Sequence, residues 1–163
     1  LFSYGLFGRV ICHYPDFSRL IYNVVPHKAE TFHRLFAQTR SPAVGFCWDT
    51  GHEMCYNHSK DMLALYGDRL LCTHLNDNLG IKDYAGQITW RDDLHLLPFD
   101  GIADWQGIAS RLDRINYSGE LTFELTLASK PGKNTHDIYK DLTLDSYFKL
   151  VYEKAVQFAQ LLK

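Results

Sequence analysis

No stretch of the 163 residues approaches the roughly 20 apolar positions of a membrane span, and no run of Lys or Arg occurs anywhere. The first absence excludes an obvious spanning helix. The second removes the electrostatic footprint that binding to a phosphate backbone needs. The 17 basic and 19 acidic residues are spread evenly, for a formal net charge of -2. There is no basic-then-apolar leader ending in small residues. A cytoplasmic protein that engages neither membrane nor nucleic acid is the expectation. Cysteine is scarce as well: Cys12, Cys47, Cys55 and Cys72 form no C-x-x-C pair. A disulfide scaffold is not expected at this size and density. Cys47 and Cys72 lie in apolar runs, where a thiol usually serves as a small hydrophobe. No glycine-rich loop follows any apolar run, so neither a dinucleotide fold nor a P-loop is signalled.

What is present is a core. With 46% hydrophobic and 14% aromatic residues, the chain is no disordered tail. Residues 1–163 are long enough for one domain. The chain opens at Leu1, inside an aromatic-rich stretch, and on that ground we expect part of a longer protein.

Residues 1–27 show no clean period and read as a long, partly buried loop with a short strand near Val10–Cys12. A helix is expected from His27 to Gln38, with Ala29, Phe32, Leu35 and Phe36 at helical spacing; Ser41-Pro42 stops it. Three short apolar runs follow: Ala43–Trp48, Leu70–Leu75 and Leu121–Leu125. Continuous runs of this length suit parallel strands buried on both faces. Between the first two, Ser59–Tyr66 reads as a helix closed by Gly67 in the left-handed C′ position. Before the third, Asp104 caps a helix running to Asn116, with Trp105, Ile108, Ala109, Leu112 and Ile115 on one face. Residues 84–102 form a long insertion without periodicity, and loops of that length are often functional. The last helix, Ser146–Leu162, carries Phe148, Val151, Tyr152, Ala155, Phe158 and Leu162 on one stripe. Alternating strands and helices mean an α/β chain with right-handed parallel crossovers.

A polar, metal-capable residue stands where each apolar run ends, which is how a TIM barrel builds its C-terminal face. Asp49 and His52 flank the exit of the first run, and His74 lies near the end of the second. Glu124 lies inside the third, between Phe123 and Leu125. Asp93 and His95, two apart in the long loop, can point the same way in an extended segment. Each has a plainer reading. A lone strand His is usually a hydrogen-bonded core residue, Asp49 before Thr-Gly could cap a helix, and Asp93 could be one of several solvated acids. Glu124 resists such a reading, because a buried carboxylate needs a partner. Hard divalent ions accept carboxylate oxygen and imidazole nitrogen together, and the joint pattern favours a metal.

Four ordered motifs make the pattern specific. Phe46-Cys47-Trp48-Asp49-Thr50-Gly51-His52 resembles the strand end of xylose-isomerase-like TIM barrels, the superfamily that includes endonuclease IV. Thr73-His74-Leu75-Asn76-Asp77-Asn78 is similar to its next strand end. Asp93-Leu94-His95-Leu96-Leu97-Pro98, with Gly101 and Asp104-Trp105, resembles its loop motif, although Phe99-Asp100 stands where Gly-Glu is usual. Tyr117-Ser118-Gly119 with Leu121–Glu124 resembles its last metal-bearing strand. The resemblance implies the C-terminal part, about half, of a (β/α)8 TIM barrel. It also implies that Asp49, His74 and Glu124 hold a divalent metal (Mn, Co, Mg or Zn), with His52, Asp93 and His95 as candidates for more. A further ligand, a Glu followed by Asn, is absent from the sequence and is expected upstream of Leu1.

By the same resemblance the function would be isomerisation or epimerisation of a sugar or sugar phosphate, by proton transfer through an enediolate. Glu124 would be one of two bases, and His52 would hydrogen-bond the sugar. Asp77 or Asn78 would orient hydroxyls or His74, and Arg91 would meet a distal hydroxyl or phosphate. Lacking the second glutamate, the chain alone is expected to be inactive. The alternatives are a zinc-dependent phosphodiester hydrolase like endonuclease IV, or a non-catalytic barrel piece. A homo-oligomer that covers open sheet edges is left open.

Overall fold

A computed structural model describes residues 10–12 and 28–163. In chain order its elements are β1 (Val10–Cys12), α1 (Ala29–Gln38), β2 (Val44–Asp49), α2 (Thr50–Tyr56), α3 (Met62–Tyr66), β3 (Leu70–His74), α4 (Trp105–Arg114) and α5 (Leu144–Ala159). Short 3-10 turns occupy Gly67–Arg69 and Asp137–Tyr139. The short strand expected near Val10–Cys12 is β1; the rest of the loop read over 1–27 lies outside the described residues. Among those residues no helix is long and apolar enough to cross a membrane.

β2 and β3 pair in parallel, with Asp49 opposite His74, so two metal-capable side chains leave the sheet at one level. β1 pairs antiparallel with the other edge of β2. The third apolar run departs from expectation. Residues 121–125 form no regular strand but continue the sheet through one parallel bridge, Leu75 with Phe123. Leu75 N donates to Thr122 O at 2.8 Å and Glu124 N to Leu75 O at 3.2 Å. The Thr73 hydroxyl accepts from Thr122 N at 2.9 Å. A side chain thus takes a bond that a ladder carbonyl would otherwise make. Glu124 still arrives beside His74.

The helices lie on one side of this sheet. Phe46 and Trp48 of β2 and Leu75 pack against Phe32 of α1, Leu63 of α3, Leu112 of α4 and Phe158 of α5. A second cluster, Leu94, Leu96, Leu97, Tyr139 and Tyr147, supports the long loop from beneath. Asp49 and Asp61 cap α2 and α3, and Asp104 caps α4 by accepting from Gly107 N at 2.9 Å. α2 itself was not foreseen. Within the expected Ser59–Tyr66 helix, only Met62–Tyr66 is α-helical, because Asp61 starts it.

Two expectations fail for reasons of packing. Gly67 has φ -61, a right-handed conformation, and so does not close α3 in the left-handed way. A Cβ there would lie 3.1 Å from Ile115 Cγ2, so close approach to the loop after α4 explains the glycine better. The buried stripe of α5 is displaced from the one expected. Tyr147, Val151 and Phe158 face inward, while Phe148 and Tyr152 are 46% and 70% exposed.

Asp77 ties the exit of β3 to the start of α4. Fully buried, it accepts from Asn78 N at 2.8 Å and Ala103 N at 2.9 Å, and from Trp105 Nε1 at 2.7 Å. Gly101 allows this: a Cβ there would stand 2.2 Å from Asp77 Oδ1. An unsatisfied buried donor costs about 1–3 kcal/mol. We therefore expect Asp77→Ala to destabilise the protein by at least about 3 kcal/mol, measured by urea denaturation.

Candidate metal centre

Six side chains converge at the exits of β2 and β3. Asp49, the last residue of β2, has its two carboxylate oxygens divided between tasks. Oδ1 accepts from His52 N at 3.0 Å and from Asn76 Nδ2 at 3.1 Å. Oδ2 is left facing inward, 3.8 Å from His74 Nδ1 and 3.9 Å from His52 Nδ1. One carboxylate thus caps α2 and still turns its second oxygen towards His74 and His52. His74 Nδ1 also pairs with Glu124 Oε2. On the far side, Asp93 Oδ2 lies 3.0 Å from His52 Nε2 and 2.9 Å from His95 Nε2.

Ligand atoms of Asp49, His74 and Glu124 lie within 4.8 Å of one another, and so do those of Asp49, His52 and His95. The two groups share Asp49. Carboxylate oxygen with imidazole nitrogen suits a divalent ion, so the residues present fit the metal that the sequence pattern implies.

The electrostatics agree. Three carboxylates stand close together with little water: side-chain exposure is 6% for Asp49, 5% for Asp93 and 23% for Glu124. Burial raises the Asp49 carboxyl above its usual range, against the pull of His52. Burial acts on Asp93 in the same sense, but hydrogen bonds from His52 and His95 overcome it and hold that carboxyl well below the ordinary range. Each imidazole answers in the opposite direction. Burial disfavours the charged ring of His52, yet Asp49 and Asp93 lift it to about 9. His74 is raised against burial by Glu124, and His95 by Asp93. A divalent ion bound here would meet the same carboxylates and would compete with protons for the imidazole nitrogens.

The long loop is held under strain. His95 has φ 57 and Phe99 φ 68, left-handed conformations that cost non-glycine residues about 1 kcal/mol or more. Phe99 is the departure noted in the sequence, where glycine would be relaxed. The loop is fixed by Leu96, whose N and O bond to Asp77, and by Thr126 N donating to His95 O at 3.1 Å. Lys154 of α5 clamps it from below, donating to Pro98 O at 3.0 Å and to Asp100 Oδ1 at 2.7 Å.

Other expected site residues fall elsewhere. Asp77 is the structural hub described above, with no oxygen turned to the centre. Asn78 is fully buried and committed: its Nδ2 donates to Asp92 O at 3.0 Å and its Oδ1 accepts from Leu79 N at 2.7 Å. Neither orients His74 or reaches a ligand. Arg91 is exposed and lies over the Trp90 ring. Three residues went unnoticed. Asn76 aligns Asp49, and strand alternation from His74 would have found it. Glu53 braces the back of β2, accepting from Trp48 Nε1 at 2.9 Å and Arg111 Nη1 at 2.6 Å. Gly51 lets the centre close.

A model of the xylose isomerase-like TIM barrel family matches residues 13–142. The chain belongs to that family. Over 79% of its length it superimposes on 42% of the IolI protein, a crystal structure with a binding zinc atom, at TM-score 0.58 and 20% identity. That likeness shows the fold, a TIM barrel of which this chain supplies a part. A xylose isomerase-like TIM barrel/4-hydroxyphenylpyruvate dioxygenase fusion protein aligns over 80% of this chain and 21% of its own, at 21% identity and TM-score 0.47. Among curated proteins, y4fM of Sinorhizobium fredii (strain NBRC 101917 / NGR234), described as uncharacterized, is 41% identical over 92 residues. That alignment covers 56% of this chain and 26% of y4fM.

Gly51 offers a direct test of the centre's packing. A Cβ there would meet Asn76 Oδ1 at 2.2 Å and Asp93 Oδ1 at 2.5 Å, two buried oxygens with no hydrogen-bond partner among the described residues. Gly51→Ala should push both away at a cost of about 1–3 kcal/mol, seen as a lowered Tm.

Proposed function

We propose that the protein is a divalent-metal-dependent sugar or sugar phosphate isomerase or epimerase, acting by proton transfer at a carbon next to a carbonyl. One observation carries this reading: Asp49, His74 and Glu124 form a metal-sized group, and its most exposed carboxylate, at 23%, is Glu124. The family membership and the zinc atom of IolI support it. A bound Mn, Co, Mg or Zn ion would supply a Lewis acid to polarise the carbonyl.

The chain's own residues do the rest. Asn76 and the His52 amide hold Asp49 Oδ1, which fixes the direction of Oδ2. His74, paired with Glu124, limits the swing of that carboxylate. Glu124 is placed to take the proton from the substrate carbon, whose C–H electrons become the double bond of an enediolate. Return of a proton to the other face of that carbon gives an epimer; return to its neighbour gives an isomer. His52, anchored through Nε2 to Asp93, is placed to hydrogen-bond a sugar hydroxyl. Epimerisation, which returns the proton to the opposite face, needs a second acid/base group, and among the described residues Glu124 is the carboxylate placed for one of the two. The chain spans 42% of IolI, so full turnover is proposed for the whole protein.

A second reading has its own observation. The adjoining group of Asp49, His52 and His95 could hold another ion, which would suit a multi-zinc phosphodiester hydrolase. The even spread of charge along the sequence, with no run of Lys or Arg, weighs against a nucleic-acid substrate.

Metal content separates the two. Dialysed protein should retain about one equivalent of divalent metal by plasma mass spectrometry, and Glu124→Gln should lose it. Two or three equivalents of zinc would instead favour the hydrolase. Deuterium wash-in from solvent at the carbon next to a ketose carbonyl needs a single base, and so reads Glu124 directly. We expect NMR to show exchange that falls by about 10²–10⁴ in Glu124→Gln. Absence of exchange in metal-loaded protein, across a panel of ketoses, would sink the isomerase reading.

A further inference from the structure

Two cations stand against a single half-exposed indole outside the metal centre. The Arg91 guanidinium carbon lies 5.8 Å from the centroid of the Trp90 ring, and Lys130 Nζ lies 5.5 Å from the same centroid. Trp90 is 43% exposed. Among the described residues no carboxylate pairs with either cation. The acid nearest in sequence, Asp92, is already engaged by Lys133 at 3.4 Å and by the amide and hydroxyl of Thr89 at 2.9 and 3.1 Å. Like charges gathered on one surface repel. An aromatic face relieves that repulsion weakly and leaves the N–H donors of both side chains unused.

The position of the pair matters as much as its charge. Arg91 lies just upstream of Asp93, and Lys130 lies in the segment that follows Glu124. The two loops are bound together where they leave the centre: Thr126 Oγ1 donates to Leu94 O at 3.2 Å, and Lys133 reaches Asp92. Trp90, Arg91 and Lys130 therefore belong to the same two tied segments that carry Asp93, His95 and Glu124.

We propose that Trp90, Arg91 and Lys130 form a rim site for a phosphate monoester at the far end of the substrate. The proposal rests on the sugar-isomerase reading and narrows it to a phosphorylated sugar. A guanidinium held over an indole face keeps its N–H donors free, and their planar fork can grip two phosphate oxygens. Lysine adds a point charge, and the indole face covers the apolar edge of a sugar. A dianion matches two cations. A neutral sugar would leave both unanswered.

Trp48 and Trp105 are 0% and 4% exposed, so Trp90 is the indole that a ligand in solution reaches. The experiment titrates the protein with inorganic phosphate, fructose 6-phosphate, fructose and gluconate at low salt, reading tryptophan fluorescence. Phosphate and fructose 6-phosphate should quench saturably, and Trp90→Phe should abolish the signal. Arg91→Ala and Lys130→Ala should each weaken binding about tenfold, and their double variant about a hundredfold, with metal content unchanged. Rising salt should weaken binding as well. Equal affinity of the double variant and the parent would overturn the proposal, as would fructose binding as tightly as its phosphate. Gluconate matching fructose 6-phosphate would overturn the phosphate assignment in favour of a carboxylate. Saturable phosphate binding in a protein that retains no metal and shows no deuterium exchange would sink the isomerase reading and leave the rim site standing.

Discussion

Three carboxylates are drawn into a space from which water is nearly excluded, and everything around them answers that cost. A buried charge without a partner is among the most expensive features a fold can carry. Asp49, Asp93 and Glu124 meet it by drawing in His52 between Asp49 and Asp93, His74 between Asp49 and Glu124, and His95 against Asp93. The arrangement is a cage of negative charge with replaceable positive contents. A divalent ion bound there would supply positive charge to the same carboxylates from a single point.

The surrounding structure reads as support for this cage. β2 and β3 set Asp49 and His74 level. Asn76, through strand alternation, aims one Asp49 oxygen, and the first turn of α2 aims it again with the His52 amide. Behind β2, Glu53 collects Trp48, Arg111 and the amide of Met62, so that the sheet, α3 and α4 share one anchor. Supports of this kind fix ligand orientation and are as much a part of a metal site as its ligands.

Much of this was legible in the sequence because metal ligands sit at strand ends, and strand ends follow from apolar runs and turn chemistry. Asp49, His52, His74, Asp93, His95 and Glu124 were all named from that logic, and the structure brings all six together. The failures have physical causes of their own. Asp77 and Asn78 looked like ligand-facing polar residues, but a chain leaving a strand must satisfy its own amides, and these two side chains do that work. The third strand frayed because Thr73 offers a hydroxyl where the ladder offers a carbonyl. The face of α5 was misjudged because its apolar residues spread around most of the helix, so period alone could not choose the buried side. Gly67 was assigned to a turn type when a neighbouring side chain, Ile115, was the constraint.

The clamp by Lys154 has a consequence for how the protein comes into being. The loop that carries Asp93 and His95 is strained at His95 and Phe99 and is held from below by a side chain of the last helix. The centre is therefore finished from the far end of the chain. During synthesis, Asp49 and His74 emerge early, but the Pro98–Asp100 turn of the loop lacks its Lys154 clamp until α5 exists. Any event that peels that helix away, a protease or a stalled ribosome, would reach the metal centre without touching a ligand.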